Sequence, residues 1–204
     1  MYRSTQGIRY SPNETVNHPI KPPNDMLTVK SWLLSLLLVL LFASSAFAHT
    51  AFKVLVFSKT EGFRHASIPD GIAAIQQLGA DHHFSVDATE DANAFTLENL
   101  LQYDAVVFLS TTGNVLNPEQ QAAFEAYIQQ GGGFVGIHAA SDTEYNWPWY
   151  GELVGAYFDS HPQIQSATIE VADRVHPSTQ HLPEYWVRTD EWYNFQENPR
   201  GKVT

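Results

Sequence analysis

The chain has 204 residues, with 22 Asp and Glu against 11 Lys and Arg, a formal charge of −11, nine His and no Cys. Hydrophobic residues make up 44% of it, which suffices for one packed domain and excludes a wholly disordered chain. The absence of Cys excludes disulfides, thiolate metal sites and a Cys nucleophile. The acidic balance disfavours nucleic acid and anionic membranes as partners, so a neutral small molecule such as a carbohydrate is the simplest expectation.

The N-terminal quarter carries the pattern of a secretory signal peptide. Lys30 gives a basic start, residues 33–43 form an apolar run, and residues 44–48 supply the small side chains of a cleavage site. The apolar run is shorter than the roughly 20 residues of a membrane span. We therefore predict a signal peptide over 26–48 and an exported protein, periplasmic or extracellular, that contacts a membrane only if this segment stays uncleaved. We interpret residues 1–25 as a non-native or disordered leader.

The following residues alternate between buried strands and helices. Apolar runs predict four strands, over 52–58, 83–88, 105–109 and 134–138. Helical spacing predicts a helix from Ser67 that closes at Gly79, a short helix over 96–102, and a third helix capped by Asn117. This order predicts an α/β fold with a flavodoxin-like, doubly wound parallel sheet.

Beyond Trp149 the alternation fades into a small irregular extension. Residues 167–171 and 186–188 have the composition of strands within it. The sequence ends at Thr204 without the final covering helix of a doubly wound domain. We therefore expect the domain, residues 49–204, to be incomplete at its C-terminus.

Three loops follow the predicted strands and should meet at one edge of the sheet. They comprise residues 58–67, 110–114 and 138–145. Ligands of open parallel sheets bind outside the carboxyl ends of the strands. A binding crevice is therefore expected where these loops converge.

His138 is the leading candidate for chemistry. It ends the run Gly-Gly-Gly-Phe-Val-Gly-Ile-His, whose layout is that of a nucleophile elbow with His in place of Cys or Ser. A histidine at this point can serve as a general base or a metal ligand. The alternative is a structural histidine that satisfies backbone groups at a strand end.

Three ordered motifs resemble the ThuA-like (trehalose utilisation) family. They are the segment from Lys53 to His65, the Gly-rich run to His138, and Ser-His-Pro at 160–162. The resemblance covers residues 52–195. It implies a class I glutamine amidotransferase-like fold without the catalytic Cys, and a role in carbohydrate metabolism. Glutamine amidotransfer is excluded, and a His-based or metal-assisted hydrolase or lyase acting on sugars is the enzyme hypothesis.

The loop after the first strand supplies a second catalytic candidate, His65, just before a helix N-terminus. Arg64 beside it and Thr111 in the loop after the third strand are candidate substrate-binding residues. Arg64 as an ordinary surface charge is the alternative.

The extension offers a candidate divalent-metal pair, His161 and Glu191, with Zn as the ion that these ligand types suit. Trp147 and Trp149 are candidate sugar-binding rings because flat aromatic faces suit the apolar faces of sugars. Loop histidines with no metal role, and tryptophans that form the core of the extension, are the alternatives.

The resulting hypothesis is an exported protein that acts on or binds a neutral sugar in the crevice. The alternatives are a non-catalytic carbohydrate-binding module and an inactive truncated remnant. The sequence specifies no oligomeric state.

Overall fold

A computed structural model of the chain describes residues 52–202, and a four-stranded parallel sheet forms its centre. The strand order is β2-β1-β3-β4, and all three neighbouring pairs are parallel. The strands are β1 (Lys53–Phe57), β2 (Ser85–Thr89), β3 (Ala105–Leu109) and β4 (Gly133–Ile137). The predicted doubly wound α/β fold is confirmed.

Within residues 52–202, four α-helices accompany the sheet: α1 (Ile68–His82), α2 (Leu97–Leu100), α3 (Pro118–Gln129) and α4 (Pro148–Val154). The start of α3 is where the sequence predicts it. The Asn117 side chain accepts a hydrogen bond from the Gln120 N–H, and the Gln120 side chain accepts one from the Asn117 N–H, both at 2.9 Å. This reciprocal pair satisfies two N–H groups that the helix itself leaves without partners.

The predicted end of α1 at Gly79 is wrong, because the helix continues to His82 and is capped by His83 in the left-handed region (φ 62°). Gly79 serves close packing instead. A Cβ there would lie 2.7 Å from the Phe84 carbonyl oxygen and 2.9 Å from Val86 Cγ2. The second strand accordingly starts at Ser85, two residues later than predicted.

Two hydrophobic clusters cover the two faces of the sheet. On the α1 side, buried aliphatic side chains of β1 and β3 pack with Ile72 and Ile75. The opposite side is aromatic, where the Phe108 ring stacks on Phe124 and on Tyr150 with centroids 5.4 and 5.7 Å apart. This core fixes the strands whose ends carry the candidate site.

The extension consists of two small antiparallel sheets. One pairs β5 (Phe158–Ser160) with β8 (Asn194–Phe195), and the other pairs β6 (Gln165–Glu170) with β7 (Tyr185–Asp190). Both predicted strands of the extension are thus confirmed. The strand predicted over 186–188 is longer at both ends, and the one predicted over 167–171 starts two residues earlier and ends one residue earlier.

The three loops predicted to converge do so. Thr60 bridges to Thr112, and Gly113 bridges to Thr143. The Glu61 N–H donates to the Thr112 carbonyl, and the Gly113 N–H donates to that of Asp142, both at 2.8 Å. These bonds join the loops after β1, β3 and β4 at the carboxyl edge of the sheet.

The predicted leader and signal peptide lie outside the described residues. Within 52–202, none of the helices has both the length and the apolar character that a membrane crossing requires.

Candidate functional site

Four side chains meet beside the carboxyl end of β4, and we call them the histidine cluster: His65, His138, His161 and Glu191. The Glu191 carboxylate joins two imidazoles, with Oε2 lying 2.9 Å from His138 Nε2 and Oε1 lying 3.2 Å from His161 Nε2. The His65 ring meets the His138 ring edge-on with centroids 4.9 Å apart. The loops after β1 and β4 therefore supply two members, and the extension supplies the other two.

His138 is held from both sides. The Ser110 hydroxyl, at the end of β3, donates to the His138 carbonyl at 2.7 Å. The Tyr193 ring lies 4.2 Å from the imidazole, centroid to centroid, and also packs on Phe158 at 4.1 Å. Backbone and ring are thus both fixed, which favours one orientation of the imidazole toward Glu191.

The environment of His65 favours its neutral form. Burial lowers the pKa of His65, and the neighbouring His138 lowers it further, while Glu191 and Asp142 act weakly in the opposite direction. A neutral imidazole keeps a free lone pair at neutral pH, as a proton acceptor or a metal ligand requires.

The histidine cluster borders two cavities that share Glu191 and Tyr193. One, of about 300 Å³, is lined by Phe63, His65, Asp142, Phe158 and His161 in addition to the shared pair. The other, of about 420 Å³, includes His138, Ser141, Trp192 and Phe195. Imidazole, carboxylate and aromatic groups therefore face spaces of small-molecule size.

Two tyrosines near the histidine cluster remain hydroxyl donors. The Tyr145 hydroxyl donates to Asp142 Oδ1 at 2.6 Å. Burial raises the pKa of Tyr145, and the bond to Asp142 raises it further. Burial likewise raises the pKa of Tyr193, with a further contribution from Glu191. Both phenols are protonated at neutral pH.

The cluster also has the donor set of a divalent-cation site. His65, His138 and Glu191 each offer one ligand atom, and these three atoms lie within 4.8 Å of one another. Imidazole nitrogen with carboxylate oxygen suits Zn and other transition metals. Of the predicted metal pair, Glu191 belongs to this set, whereas His161 contacts the second oxygen of the same carboxylate.

Four sequence-predicted binding residues are not brought to the histidine cluster. Arg64 makes a bidentate ion pair with Glu90, with nitrogen–oxygen distances of 2.7 and 2.9 Å. Thr111 is fully buried, with its hydroxyl 2.9 Å from that of Thr143. Trp147 and Trp149 stack on each other at 5.0 Å and pack against Phe124 in the aromatic core.

Sequence reasoning missed Asp142 and the buried Glu144. Both lie in the loop over 138–145, which the sequence already places at the crevice. Their positions in the chain are thus a usable signal, but the partners of Glu144 are distant in sequence.

The chain is similar in sequence and in fold to ThuA-like proteins. The family model described as trehalose utilisation (ThuA) matches residues 53–204. A solved ThuA-like protein from Bacteroides uniformis is 29% identical with a TM-score of 0.65, the match covering 76% of this chain and 66% of that chain. One from Parabacteroides merdae is 22% identical with a TM-score of 0.60, covering 71% of this chain and 63% of that one. The chain thus spans slightly less than two thirds of these solved relatives. No curated protein matches it.

Proposed function

Because the chain belongs to the ThuA (trehalose utilisation) family, we propose that it acts on a neutral sugar or sugar derivative in the crevice beside β4. The observation that carries the proposal is the Glu191 carboxylate, which bridges His138 and His161 at 2.9 and 3.2 Å next to His65. The formal charge of −11 disfavours anionic substrates and is compatible with an uncharged one.

The chemistry that this arrangement supports is proton transfer. A carboxylate bonded to an imidazole fixes its tautomer and stabilises the imidazolium form. His138 is therefore the group that takes or gives the proton, and Glu191 positions it. His65, whose pKa is lowered by burial, acts as the second, neutral imidazole toward a sugar hydroxyl. Tyr193 is a protonated phenol that lines the same space, and Tyr145 donates its hydroxyl proton to Asp142, which also lines it.

A divalent cation such as Zn is the second candidate, favoured by the 4.8 Å grouping of ligand atoms. His65, His138 and Glu191 would hold it. Bound there, the ion would supply Lewis-acid activation of an oxygen. His161 would then orient Glu191 through its second carboxylate oxygen.

The proposal includes export, supported by the basic start, apolar run and small residues of 26–48. Expression of the full chain in a Gram-negative host, with N-terminal sequencing of the periplasmic product, tests it. We expect His49 as the first residue. A product that retains residues 26–48 in the cytoplasm would contradict export.

Turnover of a panel of neutral sugars and glycosides tests the catalytic role. We expect His138→Ala to lower kcat by at least 100-fold, as for loss of a general acid–base group, with an unchanged melting temperature. His181→Ala, an exposed histidine outside the cluster, is the matched control. Full turnover in His138→Ala would refute the assignment, and sugar binding without turnover in the wild type would identify a binding module.

Metal analysis of protein purified without chelators tests the second candidate. One equivalent of a transition metal, lost from His65→Ala and kept in His181→Ala, is the expected result. A wild-type protein with no metal uptake, and a melting temperature that Zn leaves unchanged, would eliminate the ion.

A further inference from the structure

A third cavity lies at the same edge of the sheet, and none of the histidine-cluster residues lines it. It measures about 420 Å³ and takes its walls from the loops that follow β1, β2 and β3. We call it the switch-point pocket and define it by Lys59, residues 90–93, residues 114–117 and Gln120. Strand β2 lies on one side of β1 and β3 lies on the other, so the direction in which successive strands are added to the sheet reverses at β1. Open parallel sheets bind ligands at such a reversal.

The charges of Lys59 and Glu90 at the switch-point pocket are already paired. Lys59 Nζ lies 2.9 Å from a Glu61 carboxylate oxygen and donates to the Val115 carbonyl at 3.2 Å. The Glu90 carboxylate accepts hydrogen bonds from both terminal nitrogens of the Arg64 guanidinium. Asp91 adds one more carboxylate to the wall. The pocket therefore offers no uncompensated cation to an anionic ligand.

Neutral amides provide the remaining hydrogen-bonding capacity. Within residues 52–202, the side-chain amides of Asn93 and Asn114 make no hydrogen bond, and both side chains are exposed. Asn117 and Gln120 use their amide oxygens in the cap of α3, and within residues 52–202 their NH₂ groups make no hydrogen bond. Each amide combines donor and acceptor, the pattern that a hydroxyl group, itself donor and acceptor, can satisfy.

We propose that the switch-point pocket binds a neutral polyhydroxylated ligand, namely a sugar unit separate from the one at the histidine cluster. Asn93 and Asn114 would make the direct contacts, with Asp91 as an added acceptor and Gln120 as an added donor. The choice of sugar as probe rests on the proposed function, but the pocket, its charges and its amides are independent of the histidines.

Side-chain amide NMR of the ¹⁵N-labelled full chain tests this proposal. Glucose and trehalose are the neutral probes, and glucose 6-phosphate is the anionic one. We expect saturable shifts of the Asn93 and Asn114 NH₂ signals with at least one neutral probe, and binding at least tenfold weaker for glucose 6-phosphate. No saturable shift with either neutral probe, or tighter binding of the phosphate, would overturn the proposal.

Variants separate this pocket from the histidine cluster. Asn93→Ala and Asn114→Ala should each weaken binding about fivefold, the loss of one net hydrogen bond. Gln129→Ala, an exposed amide farther along α3, should leave binding unchanged, and so should His138→Ala. If His138→Ala abolishes the response of the Asn93 and Asn114 amides, the pocket is not a separate site. If His138→Ala retains full turnover while these amides still respond, only the catalytic assignment fails.

Discussion

At the scale of single residues, Glu144 is the side chain that joins two loops of the crevice. It is 1% exposed and adopts φ 57°. Its Oε1 accepts the N–H groups of Val115 and Leu116, both at 2.7 Å, and its Oε2 accepts the Gln121 amide at 2.6 Å. The loop after β4 is thereby fixed to the start of α3. A buried carboxylate persists here because three donors replace its water.

We therefore expect Glu144→Gln to destabilise the fold by about 2 kcal/mol, since a neutral amide accepts weaker bonds and turns its NH₂ toward that of Gln121. Urea unfolding measures the change. Glu170→Gln, the same substitution at an exposed strand position, should alter stability by less than about 0.5 kcal/mol. Equal effects in the two variants would show that Glu144 does not clamp the loops.

The pKa of His65 is a second residue-scale prediction, and imidazole NMR measures it. The wild-type value should lie below 6.5, mainly through burial. His138→Ala removes a lowering contribution and should raise it, whereas Glu191→Gln removes a raising contribution and should lower it. Shifts in the opposite directions would contradict the geometry. His181→Ala should leave it unchanged.

The same shift has a consequence for stability, with the sign set by proton uptake. Below pH 6.5, His65 is protonated to a greater extent in the unfolded chain than in the folded protein. The free energy of unfolding therefore falls as the pH is lowered from 6.5 toward the folded-state pKa of His65.

At the scale of secondary structure, Gly79 shows that a glycine inside a helix can serve packing. Alanine favours a helix by about 1 kcal/mol over glycine, so Gly79→Ala would stabilise an isolated α1. In the protein its Cβ would meet the Phe84 carbonyl at 2.7 Å. Because this neighbour is backbone, we expect net destabilisation of about 2 kcal/mol.

Thermal and urea unfolding of Gly79→Ala measure this balance. Ala80→Gly, at an exposed neighbouring position of α1, isolates the effect of helix propensity. It should lower the free energy of unfolding by about 1 kcal/mol. A Gly79→Ala protein more stable than the wild type would refute the close approach.

The elements differ in how far the sequence predicts them, for a physical reason. The predicted bounds of β3, residues 105–109, agree with the structure, because a strand buried on both faces must be apolar throughout. The cap at Asn117 was predictable because its partner lies three residues away. The pairing of Glu191 with His138 spans 53 residues, and the core packing of Trp147, which precedes α4, depends on Phe124 in α3. No local pattern encodes such distant contacts.

At the scale of the molecule, β4 forms one edge of the central sheet, and among residues 52–202 no strand pairs with its outer side. In the register with β3, Val135 lies beside Val107 and Ile137 beside Leu109, so both face the α1 side. They are nevertheless 47% and 36% exposed. The strand carries neither the charge nor the proline that usually protects a sheet edge.

Such an edge should promote self-association, since its free N–H and C=O groups and apolar side chains can pair with another copy. We expect Val135→Lys to weaken the association constant about tenfold, or about 1.4 kcal/mol, because a lysine charge opposes strand pairing. Sedimentation velocity over a range of concentrations measures this. Leu101→Lys, at an apolar position 53% exposed in the turn after α2, is the control. The apolar run at 33–43 is present in the wild type and in both variants, so a difference in association between the two variants reports on the β4 edge. Equal association in both variants would exclude β4 as the contact.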